Sequence, residues 1–599
     1  MSNSLNQIKA LVQAGRFEEA VEYFKRVDDN SLPVEAKLMY ALSLTRLGEA
    51  AEALALLDSL HESARSSPRV RFLYADNYRS IGQFALAANA VEPLLTSELA
   101  SAELAYFAAE TYMSGGFAVE ALTLVQAYRA RESDTASDIT KLSILEGRAL
   151  AAVEREDEAR HRLESVDTDD TALASATKYR LARLALLEGD FDSALACSDT
   201  FHEENPEAFA AQNLLLTTLI QCGRTEDAVD YALGLHENSD PQLIATAADY
   251  LSEMGYPDPL SSLLRAWQSR PSEALAKQLI PRLLATSKIE EAESMIAELR
   301  GSKETAHVAE WAHISLLANL GDHNQVVDII QRSPNRHQFD EQLALACFAI
   351  GDYETALEVS MRVLERDTSD QYAIALAATA LRCRLDPRGL ELYDVDNLII
   401  RYQMDSELLA LETSISEVAE EVRKAHSTLY SPTFQSITGG SQTPGHLLRQ
   451  HTQPSIKALK KVITQRCERH VDDVLSTVNK NHPHYQAMPK NGGFLQTSWS
   501  INAKSGGHHM AHVHPKGWLS GVAYLDLPSA MSQGTEGLIE FGVPPFEIKD
   551  PLPVMKQIAP QQGELLLFPS YLWHRTTPFS GEGERLIVAF DYGTPCCFV

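Results

Sequence analysis

The chain is short of positive charge. Only 52 Lys and Arg stand against 82 Asp and Glu, a formal charge of −30. A general nucleic-acid binder needs a basic face to displace counterions, so no nucleic-acid partner is expected. A local basic pocket for a small anion is still allowed. Cysteine is scarce too, at 7 in 599 residues. Apart from Cys596–Cys597 the cysteines lie far apart, which excludes a disulfide framework and leaves no second pair for a thiolate metal site. No apolar run reaches 18 residues, and the opening MSNSLNQIKALVQAGRF has no basic patch leading into an apolar core. A cytoplasmic protein with no membrane partner is expected. A nucleophile elbow, a phosphate loop and a dinucleotide fingerprint are missing as well, since Gly439-Gly440 alone is too little for a nucleotide site.

There is ample material for folding. Apolar residues make up 45% and charged residues 22%, the balance of a globular chain, and the length exceeds one hydrophobic core, so two to four domains are expected. The first 380 or so residues repeat. Gly15-Arg-Phe-Glu-Glu-Ala20, Gly48-Glu-Ala-Ala-Glu-Ala53, Gly82-Gln-Phe-Ala-Leu-Ala87 and Gly116-Phe-Ala-Val-Glu-Ala121 recur at intervals of 33, 34 and 34 residues. The theme returns at Gly189–Ala194, Gly223–Ala228, Gly321–Val326 and Gly351–Ala356, with weaker copies at Glu154–Ala159, Gly255–Leu260 and Ser287–Ala292. Glycine suits the tight turn between two helices, and a small residue five positions on lets the second helix pack closely. The period resembles the tetratricopeptide repeat, which implies an all-α solenoid over residues 1–385. Such a stack suits a protein or peptide partner; scaffolding of the neighbouring domain and self-association are the plainer alternatives.

Pro387-Arg388-Gly389 breaks this pattern, and helical text resumes from Leu408 to Leu429. Ser431–Gly445 is rich in turn residues and is expected to hold no regular element. Ile456, Leu459, Val462 and Ile463 place one apolar face on a helix over Pro454–Asn479. Residues 386–490 therefore read as a helical linker and support region. After Gly492 the period shifts towards two. Strands are expected at Phe494–Ile501, Leu519–Leu527, Gly537–Phe541, Gln557–Ala559, Glu564–Phe568, His574–Thr577 and Arg585–Asp591. Short strands between glycine and proline turns point to a barrel or jelly roll over residues 491–599. The whole is an α+β multidomain chain.

The chemistry gathers in these last residues. His512 and His514 are two apart on an extended segment and so share a face, and His574 can reach the same point from a later strand. Redox iron needs nitrogen or carboxylate ligands on one side, with the opposite positions open. Three histidines can hold iron or zinc, and a site of two histidines plus water is also open. His508 and His509 are alternatives to His514 but are expected nearer the pocket rim. Trp499, Ser520 and Trp573 are candidates for lining the pocket. Gln435, Gly439, Gly440 and Gln442 lie ahead of the barrel in a packing or substrate-facing segment.

HPKGWLSGVAYLDLP, GELLLFPSYLWH and GEGERLIVAFD, with FQSITGGSQT and SWSI upstream, resemble the bacterial iron(II)/2-oxoglutarate dioxygenases found fused to tetratricopeptide repeats. The resemblance runs from about Leu390 to Val599. It implies a double-stranded β-helix (jelly-roll) oxygenase domain, Fe(II) as metal, and 2-oxoglutarate and O₂ as co-substrates. It implies an unidentified substrate hydroxylated with release of succinate and CO₂, and the repeat architecture points to a protein or peptide as that substrate. His512 matches the first histidine ligand and His574 the distal one. Arg585 matches the residue that pairs with the far carboxylate of 2-oxoglutarate, and Tyr524 a hydroxyl on the same carboxylate. The broader superfamily has an acid where His514 stands. That departure supports the rival expectation, a repeat-based interaction protein with a degenerate barrel. A zinc-dependent cupin-like enzyme is a third reading, but it gives Arg585 no task.

Overall fold

The computed structural model describes residues 2–26, 32–128, 130–131, 133–301, 305–334, 336–426, 436–489, 492–533 and 535–594. Gln435 and Cys596–Cys597 fall outside them. Helical hairpins fill the first 380 residues, and every turn predicted from the repeat is made the same way. Gly15, Gly48, Gly82, Gly116, Gly189, Gly223, Gly255, Gly321 and Gly351 all have positive φ, between 70° and 86°. At the two copies without glycine, Glu154 and Ser287 take the same left-handed conformation at φ 58°. The turn geometry thus outlasts the residue that favours it. Five positions on, Ala20, Ala53, Ala87, Ala121, Ala159, Ala194, Ala228, Ala292, Val326 and Ala356 are completely buried, because the second helix of each hairpin presses onto the first there. Leu385 (φ 57°) makes one more such turn before the helix Pro387–Leu392, so Pro387 starts a helix as well as ending the pattern.

The chain divides into two compact units between Leu184 and Ala185. The first contains only repeat helices, with cores such as that around Phe24, whose ring stacks on Tyr40 at 4.6 Å. The second contains the remaining repeats and all the described strands. β1 (Ile400–Gln403), β2 (Ile437–Gln442), β3 (Phe494–His509), β4 (Leu519–Asp526), β7 (Glu564–Pro569) and β9 (Arg585–Gly593) form a sheet in the order β1-β7-β4-β9-β3-β2. β5 (Ile539–Phe541), β6 (Lys556–Ile558) and β8 (His574–Thr576) form another, β6-β5-β8. All these pairings are antiparallel. Among the described residues the sheets are not closed into a barrel, although an isolated bridge pairs His512 with His574.

The central strands read as unbroken apolar runs because both faces of the larger sheet are covered. Val522, Tyr524, Leu566, Phe568 and Ile587 face one core. Their neighbours Ala523, Leu525, Leu565, Leu567, Leu586 and Val588 face another, filled by Ile456, Leu459, Val462 and Ile463 from the helix Pro454–Thr477. Each buried leucine contributes roughly 1.5–3 kcal/mol. The first core also includes Val326, Phe348, Ile374 and Leu381 of the last repeats. The contact is polar as well. Trp573 Nε1 donates to Thr379 Oγ1 at 3.0 Å, Tyr571 Oη donates to Leu392 O at 2.7 Å, and Arg382 donates to the Gly542 and Pro553 carbonyls. The last repeats and the sheets therefore fold as one body.

Two expectations change. Ser431–Gly445 does hold a regular element, the edge strand β2. Gly439 (φ 72°) makes a bulge, and Gly440 lies so near β3 that a Cβ would sit 2.7 Å from Asn502 O. The glycines that suggested a turn are what allow the strand. The helix expected over Leu408–Leu429 is two, Asp405–Ala410 and Ile415–Lys424, with a Ser414/Glu417 capping box restarting the second. Residues 427–429 lie outside the described ones.

Candidate functional site

The strand β3 ends at His509, and the chain then runs beside β8. His512 N donates to His574 O at 3.0 Å and His574 N to His512 O at 3.1 Å. This pairing fixes two of the three histidines by backbone alone. Two residues on, His514 N donates to Ser570 O at 3.0 Å. One ring nitrogen from each of His512, His514 and His574 then lies within 4.8 Å of the other two. Small ring rotations bring such a set onto one ion at bonds of about 2.1 Å.

What holds the rings is equally informative. His512 Nδ1 lies 2.7 Å from Met510 O, and His574 Nδ1 lies 2.9 Å from Leu572 O. His514 Nδ1 lies 2.8 Å from the Asp591 carboxylate. All three Nδ1 atoms face an oxygen acceptor, the arrangement that places the proton on Nδ1 in a neutral ring and leaves Nε2 for a metal. Burial lowers His512 to about 4 and holds His574 well below the usual histidine range, which keeps both neutral and able to coordinate. Asp591 is in turn held by Ser520, whose Oγ donates to Oδ1 at 2.7 Å and lies 2.8 Å from Ser570 Oγ. Phe568 meets His574 edge-on at 4.7 Å, and Trp499 stacks on His514 at 5.7 Å.

Arg585, at the start of β9, is 1% exposed. Nη2 lies 3.3 Å from both His509 Nδ1 and Thr576 Oγ1, whereas Nε and Nη1 are buried without an acceptor. Tyr524 is buried close enough for Arg585 to favour its ionised form, yet burial dominates and pushes the phenol up. A buried guanidinium with two open donor groups is a costly arrangement that a carboxylate ligand would satisfy.

The structure thus brings His512, His514 and His574 together and buries Arg585 with Tyr524 near them. It moves His509 from the expected rim to the interior, because β3 extends eight residues past Ile501 and carries it in beside Arg585. His508 is only partly covered. Trp573 points into the last repeats, against Tyr372 and Phe546, rather than lining the cluster. Sequence reasoning missed Asp591 and Thr576. A lone acid in the apolar run Leu586–Tyr592 was the available signal for Asp591; Thr576 had none.

Residues 497–591 match the family described as "Putative 2OG-Fe(II) oxygenase", and residues 11–76 and 179–241 match tetratricopeptide repeat families. The chain therefore carries a 2OG-Fe(II) oxygenase-like domain fused to tetratricopeptide repeats, with a histidine cluster capable of holding a metal. The search of curated proteins returned no match. Among solved structures, a prolyl-4-hydroxylase from Pseudomonas putida is 13% identical over 34% of this chain and 96% of its own (TM-score 0.23). A 2OG-Fe(II) oxygenase family oxidoreductase from Burkholderia pseudomallei is 13% identical over 35% and 88% (TM-score 0.22). The Cut9–Hcn1 hetero-tetramer of APC/C is 14% identical over 64% and 85% (TM-score 0.26). TM-scores of this size do not establish a shared fold.

Proposed function

We propose that this protein is an Fe(II)- and 2-oxoglutarate-dependent dioxygenase. Its catalytic domain is a jelly roll over residues 491–599, supported by residues 386–490 and preceded by the solenoid of residues 1–385. His512, His514 and His574 hold the metal through Nε2. Arg585 and Tyr524 hold the far carboxylate of 2-oxoglutarate. One observation carries the reading: three histidines whose Nδ1 atoms each face an oxygen acceptor converge, while a buried arginine next to them has donors to spare.

Bound there, iron with 2-oxoglutarate and O₂ would supply oxidative decarboxylation to succinate and CO₂, coupled to hydroxylation of a substrate C–H bond. The chain's own residues orient and shelter that chemistry. The carbonyls of Met510 and Leu572 hold two rings in the ligating tautomer. Asp591 does the same for His514 and places a negative charge one residue away from the metal, where other family members supply it by direct ligation. His509 and Thr576 aim the Arg585 fork, whose planar donors match a carboxylate in two-point contact. Phe568, Phe541 and Trp499 keep water from the rings. The tetratricopeptide-like repeats offer a surface suited to protein interaction, which favours a protein or peptide substrate.

The test is succinate formation by anaerobically purified protein given Fe(II), 2-oxoglutarate and air, beside a His574→Ala control. Loss of turnover by at least about 100-fold in the variant is expected, since removal of even an outer partner costs 10–100-fold in such sites. Turnover that survives His574→Ala would overturn the site. The same samples are titrated with Fe(II) and 2-oxoglutarate; absence of both binding and turnover would leave a repeat-based interaction protein.

A further inference from the structure

Ser436 belongs to the FQSITGGSQT segment and stands one residue ahead of β2. Its backbone is fixed twice. Ser436 O accepts from Met510 N at 2.8 Å, and the next residue, Ile437, pairs with His509 in the sheet. Met510 O in turn faces His512 Nδ1 at 2.7 Å. The serine side chain closes the ring, because its Oγ lies 3.5 Å from His512 Nε2. Three contacts thus tie Ser436, Met510 and His512 together. Met510 is 56% exposed, so this ring stands on the solvent side of the cluster.

The last contact has one direction. In the neutral ring, with the proton on Nδ1 towards Met510 O, Nε2 only accepts, so the serine hydroxyl donates. That lone pair is the one a metal at the cluster takes. It cannot serve both, and a metal therefore displaces the Ser436 hydroxyl. The hydroxyl cannot go far. Met510 and His509 hold the backbone, which leaves only the turn of the side chain among its staggered positions. A displaced donor beside a cation has one good acceptor, an anionic oxygen bound to that cation.

We propose that Ser436 is the hydrogen-bond donor to an oxyanion ligand held at the metal. The role rests on the metal-site reading given above. It does not rest on 2-oxoglutarate, because any chelating oxyanion presents the same acceptor.

The experiment uses the full chain loaded with Co(II), whose visible spectrum reports its ligands, and oxalate as the probe. Oxalate offers two chelating oxygens without a far carboxylate for Arg585. Spectral titrations give the affinity for Co(II) and then that of the loaded protein for oxalate. Ser436→Ala is expected to bind oxalate about 10-fold more weakly than the parent chain, a loss of about 1.4 kcal/mol. Its Co(II) affinity should fall by no more than about 3-fold, since the lost hydroxyl is a competitor for His512 and not a ligand. Ser436→Thr keeps the hydroxyl and should bind oxalate at least about 3-fold more tightly than Ser436→Ala. Oxalate affinity that is unchanged in Ser436→Ala, or no better in Ser436→Thr, would overturn the role. So would a parallel loss of Co(II), the mark of a structural prop, or a loaded parent chain that takes no oxalate. Co(II) binding that survives His574→Ala would instead sink the metal site itself, and this role with it.

Discussion

Twelve times among the described residues of the repeat region the chain makes the same left-handed turn, and at Glu154, Ser287 and Leu385 it does so without glycine. In the sheet domain nothing is made twice. The histidine cluster takes one residue from β8 and two from the segment after β3, with Arg585 and Asp591 from β9 and Ser520 from β4. A repeat array spreads its stability over many similar interfaces, so one poor turn costs a fraction of the whole. A site assembled from single residues has no such reserve, and each loss is felt in full. The two regions also treat histidine differently. His61 and His161, in the first unit, are exposed, while the sheet region buries His446, His470, His484, His509 and His574.

Acid should separate the regions most strongly. Burial lowers His426 to about 4, His446 to about 3 and His470 to about 4. The unfolded chain then binds these protons more readily than the folded one. Stability is full above about pH 6.5 and falls as the pH drops towards 4–3, by up to about 4 kcal/mol per pH unit for the three together. Thermal melts between pH 8 and 4 should split, the unit from Ala185 onward unfolding first. A single transition that does not move over this range would contradict the contrast.

Glycine sharpens the comparison within one motif. At Gly189 an added Cβ would lie 1.7 Å from the carbonyl oxygen of Gln450, whereas at Gly48 it would meet nothing. Gly48→Ala should cost only the left-handed backbone, about 1 kcal/mol. Gly189→Ala should cost about 3 kcal/mol or more, since the backbone of the sheet's support must also move. Urea midpoints of the two variants measure this; equal losses would mean that the Gly189 turn is not clamped.

The smallest change tests the most local feature. Asp591→Asn keeps the shape but removes the charge on His514 Nδ1, and Fe(II) or Co(II) affinity should fall about 10–100-fold with the melting curve nearly unchanged. An unaltered affinity would remove His514 from the proposed ligand set.

The repeat period, the places of most strands after Gly492 and the pairing of His512 with His514 on one face were legible in the sequence because each is local or repeated. A turn residue marks its own turn, and alternation marks its own strand. The edge strand β2 was not legible, since two glycines read alone signal a turn and become a bulged strand only against β3. Nor was the burial of His509, which depends on how far β3 continues. The lone acid at Asp591 was visible, but its partner was not.

The sequence by itself therefore determined the helical repeats, the change of period and the supply of closely spaced histidines, all properties that a short window of residues can carry. Tertiary structure decided which acid serves His514, what aims Arg585, and that the last repeats share a core with the sheets. Those depend on strands and helices distant in the chain meeting at contact range, where hydrogen bonds and burial act over a few ångströms and sequence separation has no bearing.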